Sequence, residues 1–214
     1  MGGRAGGGAS GGMGIGSRGR GGLQRSLESV ESSIRGLPYE NSYTLDENGN
    51  ILTSYTGTSG RVVIGLPKDH IVTHNHPDVD RNGVRRSDGG GSLSKKDLMN
   101  AIQMDMKEAR AVTKTYTYSF KRPKGGWPVE KGSFSNGLDW KNGGLKSTPG
   151  MKKIEKAYSQ AVKIVTGRLD KYVASQPRTN RKAASSRAFS VKYHMINKEF
   201  ARLTGLDYSA TKVK

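Results

Sequence analysis

The amino-acid sequence predicts an α+β or α/β domain over about residues 23–122, from the order helix, strands, helix, strand. Apolar residues with the spacing of a helix face alternate along the chain with short runs rich in Thr, Tyr, Val and Ile, which are typical of strands. The chain of 214 residues has room for one domain of ordinary size and for tails. Hydrophobic residues make up 33%, below the usual share of about 45–50%, and 30 residues are glycine, so part of the chain should not pack.

The first half of the chain predicts one helix followed by strands. Five apolar residues recur at the spacing of one helix face, which predicts a helix over about 23–36: Leu23, Leu27, Val30, Ile34 and Leu37. Four short runs of residue types that favour strands follow at 43–45, 51–56, 61–64 and 70–73. His74 follows directly after the last of these runs.

The second half predicts a helix, a strand and a helical C-terminal region. Ser94 begins a helix whose Leu98, Ile102 and Met106 share one face, and apolar and polar residues alternate over 112–120, which predicts a single strand. Two more segments with apolar residues at helical spacing follow, and we predict a helix for each. We therefore divide the chain into a disordered Gly/Arg-rich tail (1–22), a core (23–122), a Gly/Pro-rich connection (123–150) and a basic helical extension (151–214).

The balance of charge suggests a class of partner. A net charge of +18 is typical of proteins that contact nucleic acid or another polyanion, although basic tails can also serve only to keep a protein dissolved. No aromatic-rich RNA-binding motif or helix-turn-helix pattern accompanies the charge, so both interpretations stay open. No run approaches the roughly 18 apolar residues that span a bilayer. We expect a cytoplasmic location and no membrane contact.

Two of the four histidines stand where one metal ion could bind both. His74 and His76 follow the predicted strand at i and i+2, so both can face one ion while Asn75 points away, and neutral imidazoles suit zinc. The chain has no cysteine, so other ligands must be carboxylates. Asp97, in the first turn of the helix that Ser94 begins, can reach back toward the strand end. Three protein ligands leave a position for water, and a further carboxylate is needed nearby as the base.

Each half of this pattern also has a purely structural explanation. Ser94 followed by Asp97 before an apolar stripe is a helix N-cap with a carboxylate at N3, worth about 1 kcal/mol. His74 and His76 alone could be surface or turn residues, and Pro77 could simply end the strand. The joint occurrence of two histidines after a β-prone strand and a capped helix favours the metal site.

The pattern His74-Asn75-His76-Pro77 followed by Ser94-Lys95-Lys96-Asp97 resembles the JAMM/MPN+ zinc metallopeptidases and the related bacterial RadC proteins. The resemblance covers about residues 23–122 and implies an α+β fold with a cytidine-deaminase-like JAB/MPN core, in which helices flank a mixed β-sheet in a three-layer arrangement. It also implies that the two histidines and the aspartate bind Zn²⁺, that the serine supports the oxyanion, and that an upstream glutamate acts through zinc-bound water. The implied reaction is hydrolysis of a peptide or isopeptide bond in a protein or peptide substrate.

The resemblance implies a position for the catalytic glutamate. In this family it follows an amphipathic helix and opens the first strand, often after a proline, and Glu40 stands at that point. Glu31 is the second candidate, but its place within the first helix is more typical of a solvated charge. Residues 78–93 form a longer stretch than in typical members and look like an inserted flap that leaves the ligands intact.

Two other functions stay open. The tail, core and basic end also resemble, less specifically, small proteins of bacteriophage and prophage gene sets, which implies the cytoplasm of a bacterial host or a virion as the location. A basic nucleic-acid-binding or virion-associated structural protein with a vestigial JAB fold is therefore the alternative. A metal-dependent nuclease is a third possibility, but the contiguous His74-Asn75-His76 lacks the spacing of His-Asn-His nucleases.

Overall fold

A six-stranded mixed β-sheet with helices on both faces organises the described residues, which in this computed structural model are 20–78, 91–130 and 148–213. The helices are α1 (Arg20–Ile34), α2 (Lys95–Gln103), α3 (Pro149–Ala174) and α4 (Arg181–Thr204), with a 3₁₀ turn at Arg178–Asn180. The strands are β1 (Asn41–Leu45), β2 (Ile51–Thr56), β3 (Ile71–Asn75), β4 (Glu108–Val112), β5 (Tyr116–Lys121) and β6 (Asp207–Lys212), in the sheet order β2-β1-β3-β4-β5-β6. The predicted α+β class with a mixed sheet is confirmed.

The sheet packs against different helices on its two faces. β3 runs parallel to β4, and the other neighbouring strands are antiparallel. Because successive side chains of a strand point to opposite faces, Val72 and His74 face α2, whereas Ile71 and Thr73 face α1. The larger hydrophobic core lies on the first face, and a smaller core around Leu27 lies under α1.

The predicted first helix is present with a shifted start. α1 begins at Arg20, so the prediction that residues 20–22 belong to a disordered tail is wrong, and the rest of that tail, residues 1–19, lies outside the described residues. The apolar stripe of α1 is buried. Gly36 follows with a φ of 80°, a left-handed conformation that commonly ends helices and favours glycine.

The strand predicted at 61–64 is wrong. This segment crosses the face of β1, where the Ser42 hydroxyl donates to the Val63 carbonyl oxygen and the Thr44 hydroxyl donates to the Gly65 carbonyl oxygen (2.5 and 2.6 Å). Side chains therefore bind these two carbonyls, which a strand neighbour would otherwise bind. Valine and isoleucine favour a strand only where such a neighbour is available.

The single strand predicted over 112–120 is a hairpin of two strands. β4 ends at Val112 and β5 begins at Tyr116, with Thr113 in the turn between them. The Thr113 N–H donates to the Tyr116 carbonyl oxygen, and the Thr113 hydroxyl oxygen accepts from the Tyr116 N–H (2.8 and 3.0 Å). Threonine alternates with apolar residues through this turn as it does in the strand after it, so the sequence pattern gives no sign of the turn. For the same reason most of β4 was not predicted.

The C-terminal region packs on the same sheet. Tyr158 of α3 and Phe200 of α4 are buried in the larger core, and β6, which its polar sequence did not indicate, pairs with β5. Of the predicted connection, residues 123–130 contain no helix or strand, residues 131–147 lie outside the described residues, and α3 begins at Pro149. None of the described helices combines the length and apolarity needed to cross a membrane.

A buried ionic network lies between α1 and the sheet. Glu31 is 5% exposed, and its carboxylate accepts from the Arg110 guanidinium at 2.5 and 3.2 Å. Arg110 also binds Glu108 (2.6 Å), and the Thr73 and Thr117 hydroxyls donate to Glu31 (both 3.2 Å). The expectation of a solvated Glu31 is wrong, because this residue lies on the helix face that packs on the sheet, where Arg110 supplies the opposite charge.

Replacing Glu31 with glutamine is expected to lower the free energy of unfolding by roughly 2–3 kcal/mol. The amide keeps the shape of the side chain but loses its charge, and hydrogen bonds to charged groups are worth about 1.5–3 kcal/mol. The matched control is Glu28→Gln, an exposed position on the same helix, which should change stability by less than about 0.5 kcal/mol. Urea unfolding measures both variants, and equal stability of Glu31→Gln and the unsubstituted protein would contradict the assignment.

Candidate metal centre

The end of β3 and the residue after it carry the two histidines that the sequence singles out. His74 lies one residue before the end of β3 and is 4% exposed. The His76 N–H donates to the Val112 carbonyl oxygen at the end of β4 (2.8 Å), so the backbone beyond the strand stays attached to the sheet. Pro77 has no N–H and cannot continue the pairing. Both histidines are therefore held at the C-terminal end of an interior strand and not on a free loop.

The two imidazoles and the Asp97 carboxylate converge on one point. The Nε2 atoms of His74 and His76 lie 2.8 Å apart, with ring centroids 4.7 Å apart. Asp97 Oδ1 lies 3.7 Å from His74 Nε2, and Asp97 Oδ2 lies 3.5 Å from His76 Nε2. Within the described ranges, these three side chains are the group of possible ligands close enough together to hold one metal ion.

The spacing of these atoms is compatible with zinc. Zinc binds imidazole nitrogen and carboxylate oxygen at about 2.0–2.2 Å in a tetrahedron, which places neighbouring ligand atoms about 3.3–3.6 Å apart. The distance from His76 Nε2 to Asp97 Oδ2, 3.5 Å, lies within this range, and the distance from His74 Nε2 to the other carboxylate oxygen, Oδ1, is slightly longer at 3.7 Å. The two histidine nitrogens, at 2.8 Å, would have to separate by about 0.5–0.8 Å to reach this range. Two neutral nitrogens and one carboxylate without sulfur are also a common zinc ligand set.

Asp97 caps α2 and faces the histidines at the same time. The Ser94 N–H donates to Asp97 Oδ2 (2.7 Å), and the Asp97 N–H donates to Ser94 Oγ (3.2 Å), which together form a capping box. The structural and the metal-binding explanations of this motif are thus compatible. The cap holds one carboxylate oxygen and leaves Oδ1 directed at His74, so the carboxylate is oriented before any ion binds.

A backbone carbonyl group on the far side of the His76 ring orients that ring. His76 Nδ1 lies 2.8 Å from the Gly91 carbonyl oxygen and donates to it, so Nε2 is the ring nitrogen that can bind an ion once its proton is displaced. His74 Nδ1 is buried without a hydrogen bond of good geometry to a described residue, although the Arg110 carbonyl favours a proton on this ring. Gly91 is the first described residue after segment 79–90, so the end of the predicted insertion contributes to the site.

Burial and mutual charge set the protonation of the three groups. Burial lowers the pKa of His74 to about 4, against the opposing influence of the Asp97 charge. Burial also disfavours a proton on His76, but the hydrogen bond and charge of Asp97 outweigh it and raise the His76 pKa to about 9. Burial would raise the pKa of Asp97, yet the two imidazoles hold it well below its usual range. A cation between these groups would replace the His76 proton as the partner of the carboxylate.

Glu40 immediately precedes β1, next to the end of β3. Its N–H donates to the Thr58 carbonyl oxygen, and its own carbonyl oxygen accepts from the Gly57 N–H (both 2.8 Å), which fixes its backbone. Its carboxylate is near enough to His76 to add to the rise in that residue's pKa, after the larger influence of Asp97. Glu31, the second candidate base, lies on the opposite face of the sheet, away from the histidine pair.

Ser94 lies at the site with its side chain already engaged. Its Oγ accepts from the Asp97 N–H, and its hydroxyl adds to the lowering of the Asp97 pKa after the larger influence of the two imidazoles.

Helix α3 contributes a residue that sequence reasoning did not assign to the site: Tyr158, which is 4% exposed. Burial raises its pKa, and Tyr193 and Asp97 add to that rise, so this hydroxyl lies within electrostatic range of the carboxylate.

Asn75 is a second functional candidate that sequence reasoning missed. Its Oδ1 accepts from the Asn41 N–H (2.6 Å), and its Nδ2 donates to the carbonyl oxygens of Tyr39 (2.9 Å) and Leu37 (3.3 Å). These bonds hold the segment on both sides of Glu40 against the end of β3. A buried amide needs such partners, but the sequence did not indicate which residues would supply them.

The chemistry available to the centre follows from its geometry. A cation bound by two imidazoles and one carboxylate, with a second carboxylate nearby, is an arrangement with which proteins activate water for hydrolysis. Comparisons of the chain with protein families, curated proteins and solved structures give no match.

Proposed function

We propose that this protein is a zinc-dependent hydrolase of the JAMM type that cleaves a peptide or isopeptide bond. The observation that carries this proposal is the convergence of His74, His76 and Asp97 at the end of β3. Three protein ligands leave one coordination position open, which is typical of catalytic zinc sites and not of structural ones. The position of Glu40 beside His76 supplies the carboxylate that such a reaction needs.

Each side chain has a definite part in the proposed reaction. When bound, zinc lowers the pKa of a coordinated water to about 7 and polarises the scissile carbonyl group. The Glu40 carboxylate takes a proton from the attacking water and delivers it to the nitrogen of the leaving amine. The Ser94 hydroxyl, whose oxygen accepts from the Asp97 N–H in the cap of α2, donates its own proton in a hydrogen bond to the developing oxyanion. Asp97, held by the cap, and His76, held by Gly91, keep the ligand set in place.

The proposal extends to the fold. α1, the β1–β2 hairpin, β3, α2 and β4 follow in the order helix, strands, helix, strand that supports a JAB/MPN core. The candidate ligands stand where that core would carry them, after one strand and in the first turn of the next helix. α3 and α4 are then an addition that packs on the face of the sheet toward α2, and β6 extends the sheet beside β5.

A metal-removal experiment tests this function. Zinc-loaded protein is incubated with a library of peptides and of lysine isopeptide conjugates, and mass spectrometry identifies the products. We expect cleavage that stops after dialysis against a chelator and returns with about one equivalent of zinc per chain. Cleavage that ignores the chelator, or a fully zinc-loaded protein that cleaves no member of the library, would count against the proposal.

Replacing Asn75 with alanine is expected to slow hydrolysis about 10- to 100-fold without releasing zinc. The substitution removes the amide that holds residues 37–41 to β3, so Glu40 loses its fixed position while the three ligands remain. The readouts are the cleavage rate, the bound zinc and hydrogen exchange at the Asn41 amide, which should quicken. Asn48→Ala, at an exposed position in the β1–β2 turn, is the control. An unchanged cleavage rate in Asn75→Ala would exclude this positioning role.

A further inference from the structure

The tip of the α3–α4 pair concentrates positive charge. We define the basic hairpin as residues 163–192, which comprise the second half of α3, the 3₁₀ turn and the first half of α4. It contains one carboxylate, Asp170, and eight basic residues: Lys163, Arg168, Lys171, Arg178, Arg181, Lys182, Arg187 and Lys192. The zinc chemistry proposed above uses none of them.

Described residues neutralise little of this charge. Arg168 pairs with Glu199 (3.2 Å), and Arg181 donates to two backbone carbonyl oxygens at the end of α3, where it closes the turn. The other six basic side chains of the hairpin form no ion pair with a described residue. All of them are exposed except Lys192, which is partly buried. The hairpin thus presents a surface that suits an anionic partner.

A groove runs between the two helices of the hairpin. Its volume is about 410 Å³, and its lining includes apolar side chains, two basic side chains and the one carboxylate of the hairpin: Leu169, Val173, Ala188, Phe189, Arg181, Lys192 and Asp170. Lys163 and Lys182 lie at its margin, because each stands three residues before a lining residue on its own helix, Thr166 and Ser185. Concave apolar surface and cations therefore occur together.

An exposed aromatic ring lines this groove. Phe189 is among the lining residues and is 47% exposed. In single-stranded nucleic acid, bases stack on aromatic rings while phosphates lie against cations. A duplex hides its bases, and a flat anionic membrane cannot enter a groove.

We propose that the basic hairpin binds single-stranded nucleic acid, with a base against Phe189 and the neighbouring phosphates against Lys163, Lys182 and Lys192. The shared chemistry of DNA and RNA strands suffices for this contact, because stacking and phosphate binding do not require a particular sugar. This function is separate from hydrolysis and does not depend on the metal centre.

Fluorescence anisotropy on the full-length protein tests the proposal. The probes are a labelled 20-nucleotide oligodeoxythymidylate, the corresponding oligouridylate and a 20-base-pair duplex, with vesicles containing phosphatidylserine in a parallel sedimentation assay. One variant removes three charges at the groove: Lys163→Gln, Lys182→Gln and Lys192→Gln. A matched variant removes three exposed charges outside the hairpin: Lys68→Gln, Lys121→Gln and Lys124→Gln. Phe189→Ala removes the ring, and Phe189→Leu repeats that test with the apolar bulk retained.

We expect a single strand, of DNA, RNA or both, to bind more tightly than the duplex and the vesicles. The groove variant should reduce the slope of log affinity against log salt by about two, since each single-strand phosphate contact contributes about 0.7. Phe189→Ala should lower affinity roughly 5- to 140-fold and leave that slope unchanged. The matched variant should retain nearly all of the slope and affinity.

Four results would overturn the proposal. These are no binding of any single strand at 50 mM salt, equal losses in the two lysine variants, affinity that neither substitution of Phe189 changes, and tighter binding of the duplex or the vesicles. Circular dichroism and bound zinc are measured on every variant. Because the metal centre is left intact, loss of nucleic-acid binding with full zinc occupancy separates this function from the proposed hydrolysis.

Discussion

Replacing His76 with alanine is expected to lower the affinity for zinc roughly 60- to 700-fold. Apparent binding free energies of about 10–16 kcal/mol for four-ligand zinc sites correspond to about 2.5–4 kcal/mol for each ligand, and 1.4 kcal/mol is a tenfold change. The variant leaves only His74 and Asp97, whose facing atoms lie 3.7 Å apart. The substitution also removes the imidazole that the Gly91 carbonyl group orients. His74 is then the single histidine left at the end of β3.

A second histidine substitution provides the control for this prediction. His70 is partly exposed, its Nδ1 lies 3.0 Å from the Leu66 carbonyl oxygen, and it stands before β3, away from the three ligands. His70→Ala should therefore bind zinc as the unsubstituted protein does. Competition with a chromophoric chelator measures the affinities, and circular dichroism verifies the fold. If His76→Ala bound zinc as tightly as His70→Ala, the assigned ligand set would be rejected.

Replacing Glu40 with glutamine is expected to slow hydrolysis about 100- to 10,000-fold, the usual contribution of a general acid or base, while zinc stays bound. The amide has nearly the shape of the carboxylate but cannot take the proton of the attacking water. The backbone bonds of Glu40 to Thr58 and Gly57 do not involve its side chain, so the start of β1 should keep its structure. The loss should appear in kcat and not in zinc content.

The Glu31→Gln variant shows whether a carboxylate acts as the catalytic base or has a structural role. It removes the same charge from the same residue type, but on the other face of the sheet and within the Arg110 network. It should lower stability with little effect on the rate of the folded protein, whereas Glu40→Gln should lower the rate with little effect on stability. Cleavage rates at saturating zinc and urea unfolding distinguish the two. The opposite pattern would transfer the role of base to Glu31.

The three candidate ligands were predictable because their signals are local. His74 and His76 stand at a strand end, and Asp97 stands in the first turn of a capped helix, so short segments fix the direction of each side chain. Their convergence on one point then needs only that β3 and α2 pack together. The capping box, which offered a rival explanation for Asp97, orients the carboxylate that faces the histidines.

The parts that sequence reasoning missed depend on contacts between distant segments. Glu31 lies 79 residues from Arg110, and helical periodicity cannot show that a charged residue on the buried face has a partner there. β6 has a polar sequence and becomes a strand because β5 offers it a free edge. The hydrogen bonds from the Asn75 side chain to the backbone on both sides of Glu40 likewise join residues more than 30 positions apart.

X-ray absorption at the zinc edge of zinc-loaded protein tests the central claim most directly. We expect about one zinc per chain, with two imidazole nitrogens and one carboxylate oxygen at about 2.0–2.2 Å and a lighter, exchangeable oxygen ligand in the remaining position. A spectrum with fewer than two imidazoles, or one that stays the same in a protein lacking both His74 and His76, would contradict the account.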